Sequence, residues 1–146
     1  EIETEILPIC RELCIGLVPY FPLGRGFLTG TVKTLSQLPD DDFRHRDPRY
    51  NGENLDRNLA IVSAIDQVAN ELSISCAQVA LAWLLSKGGD VVPIPGFKRR
   101  ATLEDSIKSV SITLSAKQLD YLETAAPVGG TSGPRYGEAG MKMVRI

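Results

Sequence analysis

Two short turns hold the side chains best suited to gripping an anion. The first is Phe21-Pro22-Leu23-Gly24-Arg25-Gly26. Gly24 and Gly26 lack a Cβ, so backbone amides can approach a ligand closely there. Arg25 between them can meet a phosphate. A plain chain reversal has the same composition. The second is Pro95-Gly96-Phe97-Lys98-Arg99-Arg100, three cations just ahead of a helical segment. The N-terminus of a helix carries partial positive charge and disfavours cations, a cost that a bound phosphate relieves. A solvated basic cluster would look alike by charge. Its place after an apolar strand favours the phosphate, because α/β folds bind ligands beyond the C-terminal ends of their strands.

Other chemistries find little support. Cys10, Cys14 and Cys76 are odd in number and follow no repeating spacing, so they form no disulfide framework. Cys10 and Cys14 fall four apart on an expected helix face, too few ligands for zinc. No metal site is expected. His45, the single histidine, lies in a polar loop.

The elements that position the two turns follow from periodicity. Ile2, Ile6, Ile9, Cys10 and Leu13 recur at helical spacing. After Gly16 comes Leu17-Val18-Pro19-Tyr20, an apolar run suited to a buried strand. Residues 31–53 show no period and read as a long polar loop, a kind of segment that is often functional. Leu55, Leu59, Val62, Ile65, Ala69 and Leu72 predict a long amphipathic helix with Asn54 as its N-cap. Ser75 with Gln78 forms a capping box for a helix over residues 76–86, where Trp83 belongs to the core. Gly88-Gly89 breaks it. Val91-Val92-Pro93-Ile94-Pro95 is a second strand, Leu103, Ile107 and Val110 mark a short helix, and Ser115 with Gln118 caps another. Alternation of this kind implies a parallel sheet or barrel with helices outside. Residues 127–146, rich in Gly and small side chains, read as a loosely held tail.

Composition sets the class. Of 146 residues, 43 % are hydrophobic and 23 % charged, as in globular proteins. A net charge of −2 argues against nucleic-acid binding. No apolar run is long enough to span a bilayer. The acidic start, Glu1 to Glu5, lacks signal-peptide character, so a cytoplasmic setting is expected.

The two turns and their strands, in this order, resemble the aldo-keto reductase family. Val18-Pro19-Tyr20-Phe21-Pro22-Leu23-Gly24-Arg25-Gly26-Phe27-Leu28-Thr29-Gly30 is similar to the segment at barrel strand seven. Glu53-Asn54-Leu55 with Asn58-Leu59 resembles the helix after it, and Ala77-Gln78-Val79-Ala80-Leu81-Ala82-Trp83 the next helical piece. Val92-Pro93-Ile94-Pro95-Gly96-Phe97-Lys98 resembles strand eight and its cofactor loop. The resemblance implies an α/β fold, the C-terminal part of a (β/α)8 barrel, with residues 1–126 as the barrel section. Such a barrel takes about 250 residues and eight strands, so it is incomplete in this chain.

The resemblance also implies roles. Tyr20 would stack on the nicotinamide of NADP(H), with Phe21 standing where a serine is usual. Leu23, Gly24 and Arg25 would lie along the pyrophosphate. Gly96, Phe97, Lys98 and Arg99 would grip the adenosine 2′-phosphate. Asp105 and Ser106 would address the adenine, Ser106 replacing a common asparagine. The family's catalytic Asp, Tyr, Lys and His lie on earlier strands. No catalytic residue is assigned here, because Tyr50, Tyr121, Tyr136 and His45 stand in no matching context. The implied activity is NADPH-dependent reduction of aldehydes and ketones by a longer enzyme. A non-catalytic nucleotide-binding relative and an inactive fragment are the alternatives. Expected partners are a small carbonyl substrate and, through open sheet edges, further copies of the chain.

Overall fold

A computed structural model of the chain describes residues 2–144. Its centre is a pair of helices, α2 (Gly52–Leu72) and α3 (Cys76–Leu85). In α2 the buried positions Asn58, Val62, Ile65, Val68 and Ala69 fall on one stripe, as the 3.6-residue period requires. Its N-cap is Asn51, three residues before the expected Asn54. Asn54 lies within the helix, and its amide donates to the Pro48 carbonyl at 3.0 Å. Ser73, left-handed at φ 54°, ends α2, and α3 leaves at 96° to it.

The Ser75/Gln78 capping box opens α3 as expected. Every residue from Cys76 to Ala82 is buried, so this helix is covered all round. It packs on α2 and, across its other face, on α4 (Arg100–Lys108). A third box, Ser115/Gln118, starts α5 (Ala116–Ala125), which packs on α2 and adds Leu122 to the core. Val79, Val68 and Leu81 are the most deeply buried side chains. Each stabilises the fold by ~1.5–3 kcal/mol through area removed from water. Trp83 flanks this core, half-buried.

The N-terminal helical stretch divides into a π-helical turn, Ile2–Ile6, and α1 (Leu7–Glu12), with Leu7 alone buried. Cys14 falls beyond α1 at φ 56°, so it does not share a helix face with Cys10. All three cysteines are free thiols. Among the described residues no three His, Cys, Asp or Glu side chains gather as a metal site, and no single helix is long and apolar enough to cross a membrane.

The two expected strands meet at one parallel bridge, Leu17 opposite Val91. Leu17 N–H donates to Asp90 O at 2.7 Å and Val92 N–H to Leu17 O at 2.8 Å. Pairing stops there. Pro19, Pro93 and Pro95 have no N–H to extend a ladder. The parallel sense still fixes one thing: the chain leaves both segments at the same end, so the turns after them share that end.

The long loop is not featureless. Short 3-10 turns form at Leu35–Gln37, Phe43–Arg46 and Pro48–Tyr50. The tail is not loose throughout. Ser132 N–H donates to Asn58 Oδ1 at 2.8 Å, Asn58 Nδ2 donates to Ser132 O at 2.9 Å, and Ser132 Oγ donates to Asn54 Oδ1 at 2.7 Å. A short helix, α6 (Glu138–Met141), follows.

Candidate functional site

Arg25 stands at the middle of the site. Gly24, Arg25 and Gly26 all take left-handed backbone, at φ 55°, 57° and 89°. Two glycines adopt that conformation without penalty. Arg25 and Phe21 (φ 49°) do not, and strained residues of this kind gather where a protein binds or reacts. Two contacts hold the turn down. Leu23 is buried against Ala77, Ala80 and Leu81 of α3. The Tyr50 hydroxyl, from the long loop, donates to Gly24 O at 2.9 Å. Burial pushes the Tyr50 phenol up to about 12.

The Arg25 guanidinium is enclosed rather than free. Its Nη1 donates to Asp47 Oδ2 at 2.5 Å, and it lies 5.3 Å from the ring centres of Phe21, Phe43 and Tyr136. Aromatic faces attract a cation. Asp47 is itself organised: its Oδ1 accepts the Arg49 N–H at 3.0 Å and caps the turn at Pro48–Tyr50. A neighbouring pair, Asp42 and Arg44, bridges through two hydrogen bonds at 2.9 and 2.7 Å and holds the Asp42 carboxyl far below the usual carboxylate range.

Two clefts open around this centre. The smaller, about 230 Å³, is bounded by Arg25, Phe43, Arg46, Asp47, Pro48 and Tyr136. The larger, about 640 Å³, runs from Tyr20, Phe21, Gly24 and Arg25 to Arg49 and Arg135. Tyr20 is two-thirds exposed, with its ring 4.2 Å from that of Phe21 in an edge arrangement.

The second turn stands apart. Gly96, Phe97, Lys98 and Arg99 are exposed and border neither cleft. Arg100 pairs with Glu104 at 3.2 Å. Among the described residues Lys98 and Arg99 have no ion-pair partner, and no side chain caps α4. Asp105 faces inward. Its Oδ2 accepts the Ser75 hydroxyl at 2.6 Å and its Oδ1 accepts Gln78 Nε2 at 2.9 Å, which ties α4 to the start of α3. Ser106 is buried beside it.

Of the residues expected from sequence, the structure gathers Tyr20, Phe21, Gly24 and Arg25 at one cleft, with Leu23 beneath them. Gly96 to Arg99 form a separate exposed loop, and Asp105 and Ser106 lie on the face of α4 turned toward α3. Phe43, Asp47, Arg49 and Tyr50 of the long loop and Arg135 and Tyr136 of the tail also line the clefts, as expected of segments that border the pocket, although no individual role was assigned to them from sequence.

A turn of this build, after one of two parallel segments backed by helices, fits the α/β class. The chain belongs to the aldo/keto reductase family, whose model matches residues 1–127. It is 43 % identical over 136 residues to a probable aldo-keto reductase 1 of Glycine max, covering 93 % of this chain. It is 40 % identical over 134 residues to the Schizosaccharomyces pombe aldo-keto reductase yakc, whose name carries NADP(+), covering 92 % of this chain. The chain spans 39 % of the length of each of these curated relatives. The crystal structure of a thermostable aldo-keto reductase with the inhibitor epalrestat superposes with a TM-score of 0.57 at 22 % identity, over 85 % of this chain and 34 % of that one. The shared fold is thus part of the family's barrel.

Proposed function

We propose that this chain supplies the cofactor-gripping end of an NADPH-dependent carbonyl reductase. In this reading residues 17–20 and 91–95 are barrel strands seven and eight. The single observation that supports it is the parallel bridge Leu17–Val91, with the Leu23-Gly24-Arg25 turn following one bridged segment and the Lys98-Arg99 loop following the other. NADPH supplies a hydride to a carbonyl carbon. The Tyr20 ring, exposed at the cleft, offers a face to the nicotinamide. The Gly24 and Gly26 N–H groups close the turn on Phe21 O and Leu23 O, and Arg25 is held by Asp47, so in this reading the turn offers the pyrophosphate a close, Cβ-free backbone beside a cation. Lys98 and Arg99, without an ion-pair partner among the described residues and just ahead of α4, suit the 2′-phosphate. Asp105, engaged with Ser75 and Gln78, serves by fixing α4 and with it the loop. The proton for the carbonyl oxygen comes from residues of a longer protein.

The test is NADPH binding to the purified chain, followed by nucleotide fluorescence. Saturable binding is expected, and Lys98→Ala should weaken it by about ten-fold, the cost of one charge-assisted contact. Absence of binding, or indifference to Lys98→Ala, would leave the family in place and remove this role from the chain.

A further inference from the structure

The docked tail brings a second cationic group to the cleft. Arg49 is half-buried, and its Nε donates to Gly133 O at 3.3 Å. Two residues on, Arg135 stands close enough to depress the Arg49 pKa, after burial itself, and Arg25 adds to the effect. Among the described residues neither Arg49 nor Arg135 has an ion-pair partner, and both line the larger cleft with Tyr20. Asp47, the acid that acts on Arg49 among the described residues, is committed to Arg25. The other charged groups on that cleft, Lys87 and Glu3, pair with each other at 3.2 Å. Among the described residues, the three arginines on that cleft, Arg25, Arg49 and Arg135, thus face one carboxylate that is not paired elsewhere on the cleft, and it belongs to Arg25.

This approach of like charges is built rather than incidental. Asn58, buried within α2, accepts Ser132 N–H and donates to both Ser132 O and Arg49 O. Gly133 adopts φ +86°, and a Cβ there would come within 2.8 Å of Asn54 Nδ2. The same amide therefore fixes the backbone of Arg49 and of the tail. Holding two guanidinium groups together, one of them desolvated, costs free energy that a bound anion offsets.

We propose that Arg49 and Arg135 form an anion clamp that takes the carboxylate or phosphate of a small molecule entering the Tyr20 cleft. Two guanidinium groups lining one cleft carry the chemistry to meet a planar or tetrahedral oxyanion. That anion can be an acid group on the substrate or a phosphate of the nucleotide. The tail then acts in selection, admitting ligands that carry negative charge at a set reach from the Tyr20 ring.

Calorimetric titration of the purified chain with succinate and with inorganic pyrophosphate, at low ionic strength, tests the clamp. Saturable binding of at least one is expected. Arg135→Gln should weaken it by about ten-fold, and Arg135→Lys should restore it in part. Lys117→Gln, an equal loss of charge on exposed α5, should leave it unchanged. Repeating the titration with saturating NADPH separates the sources. If succinate still binds, the clamp serves a substrate acid; if NADPH displaces it, the clamp serves the nucleotide. Succinate or pyrophosphate binding without any NADPH binding leaves the clamp standing and removes the cofactor role. No binding of either anion, or equal binding by a folded Arg135→Gln chain, overturns the clamp.

Discussion

Arg25 Nη1 donates to Asp47 Oδ2 across 22 residues of chain, and the Asp47 side chain is 4 % exposed. The pair closes the long loop onto the Gly-Arg-Gly turn and gives Arg25 an internal anion. Removing either partner is not equivalent. Asp47→Asn keeps an oxygen for the Arg49 N–H and leaves Arg25 among aromatic rings, so it should cost about 1–3 kcal/mol. Arg25→Met strands a buried carboxylate and should cost about 3–5 kcal/mol. Urea denaturation of the two variants gives the comparison. Equal or negligible losses would mean that the pair does not hold the loop.

Asn58 is the hinge pin of the tail. Its side chain makes three hydrogen bonds, two of them to Ser132, from a position 2 % exposed. Asn58→Ala leaves the Ser132 N–H and the Arg49 carbonyl short of partners, with an expected cost of about 2–4 kcal/mol. The more specific outcome is local. Amide exchange at Ser132 should become fast while the core of α3 keeps its protection. Unchanged exchange at Ser132 would show that the tail is held by other contacts.

These two relationships also show why part of the site was hidden in the sequence. Helices α2, α3 and α5 were legible because their signals are local: a 3.6-residue stripe in one and a Ser-x-x-Gln box in the other two. The two turns were legible because glycine and cation placement is itself local. Asp47 and Arg25 are 22 residues apart, and Asn58 and Ser132 are 74 apart. Nothing in the composition of residues 31–53 or of the tail announces such pairing. The two apolar runs, expected as buried strands, meet in one bridge only and leave Val18, Val92 and Ile94 exposed, because their prolines decide how far pairing extends. Asp105 was read through resemblance alone, which could not reveal its bonds to Ser75 and Gln78.

Tyr50 sets an alkaline limit. Its hydroxyl is buried on the Gly24 carbonyl, and its pKa is raised from 10.0 to about 12. A raised folded-state value means that the folded protein retains the proton longer than the unfolded chain. The stabilisation is therefore complete below about pH 10 and is lost as pH climbs toward 12. The loss should be on the order of 2 kcal/mol across that window. Tyr50→Phe lowers stability at neutral pH by removing a hydrogen bond, and it should flatten the alkaline slope. An identical slope in the variant would assign the alkaline loss to other groups.

The helices leave one apolar face uncovered. Val91 is buried at the bridge and Leu17 partly so, whereas Val18, Val92 and Ile94 are more than half exposed. Ile6, Ile9, Leu13 and Ile15, along α1 and its exit, are exposed to a similar degree. Apolar side chains beside backbone groups with no ladder partner form a ready surface for a further strand. The purified chain should therefore associate with its own copies as concentration rises, and sedimentation velocity should show species heavier than 15.9 kDa. Val92→Lys places a charge on that face without touching the turns, so it should reduce association and leave NADPH affinity unchanged. A chain that sediments as a monomer at every concentration, with or without the lysine, would show that the exposed face has no affinity for itself.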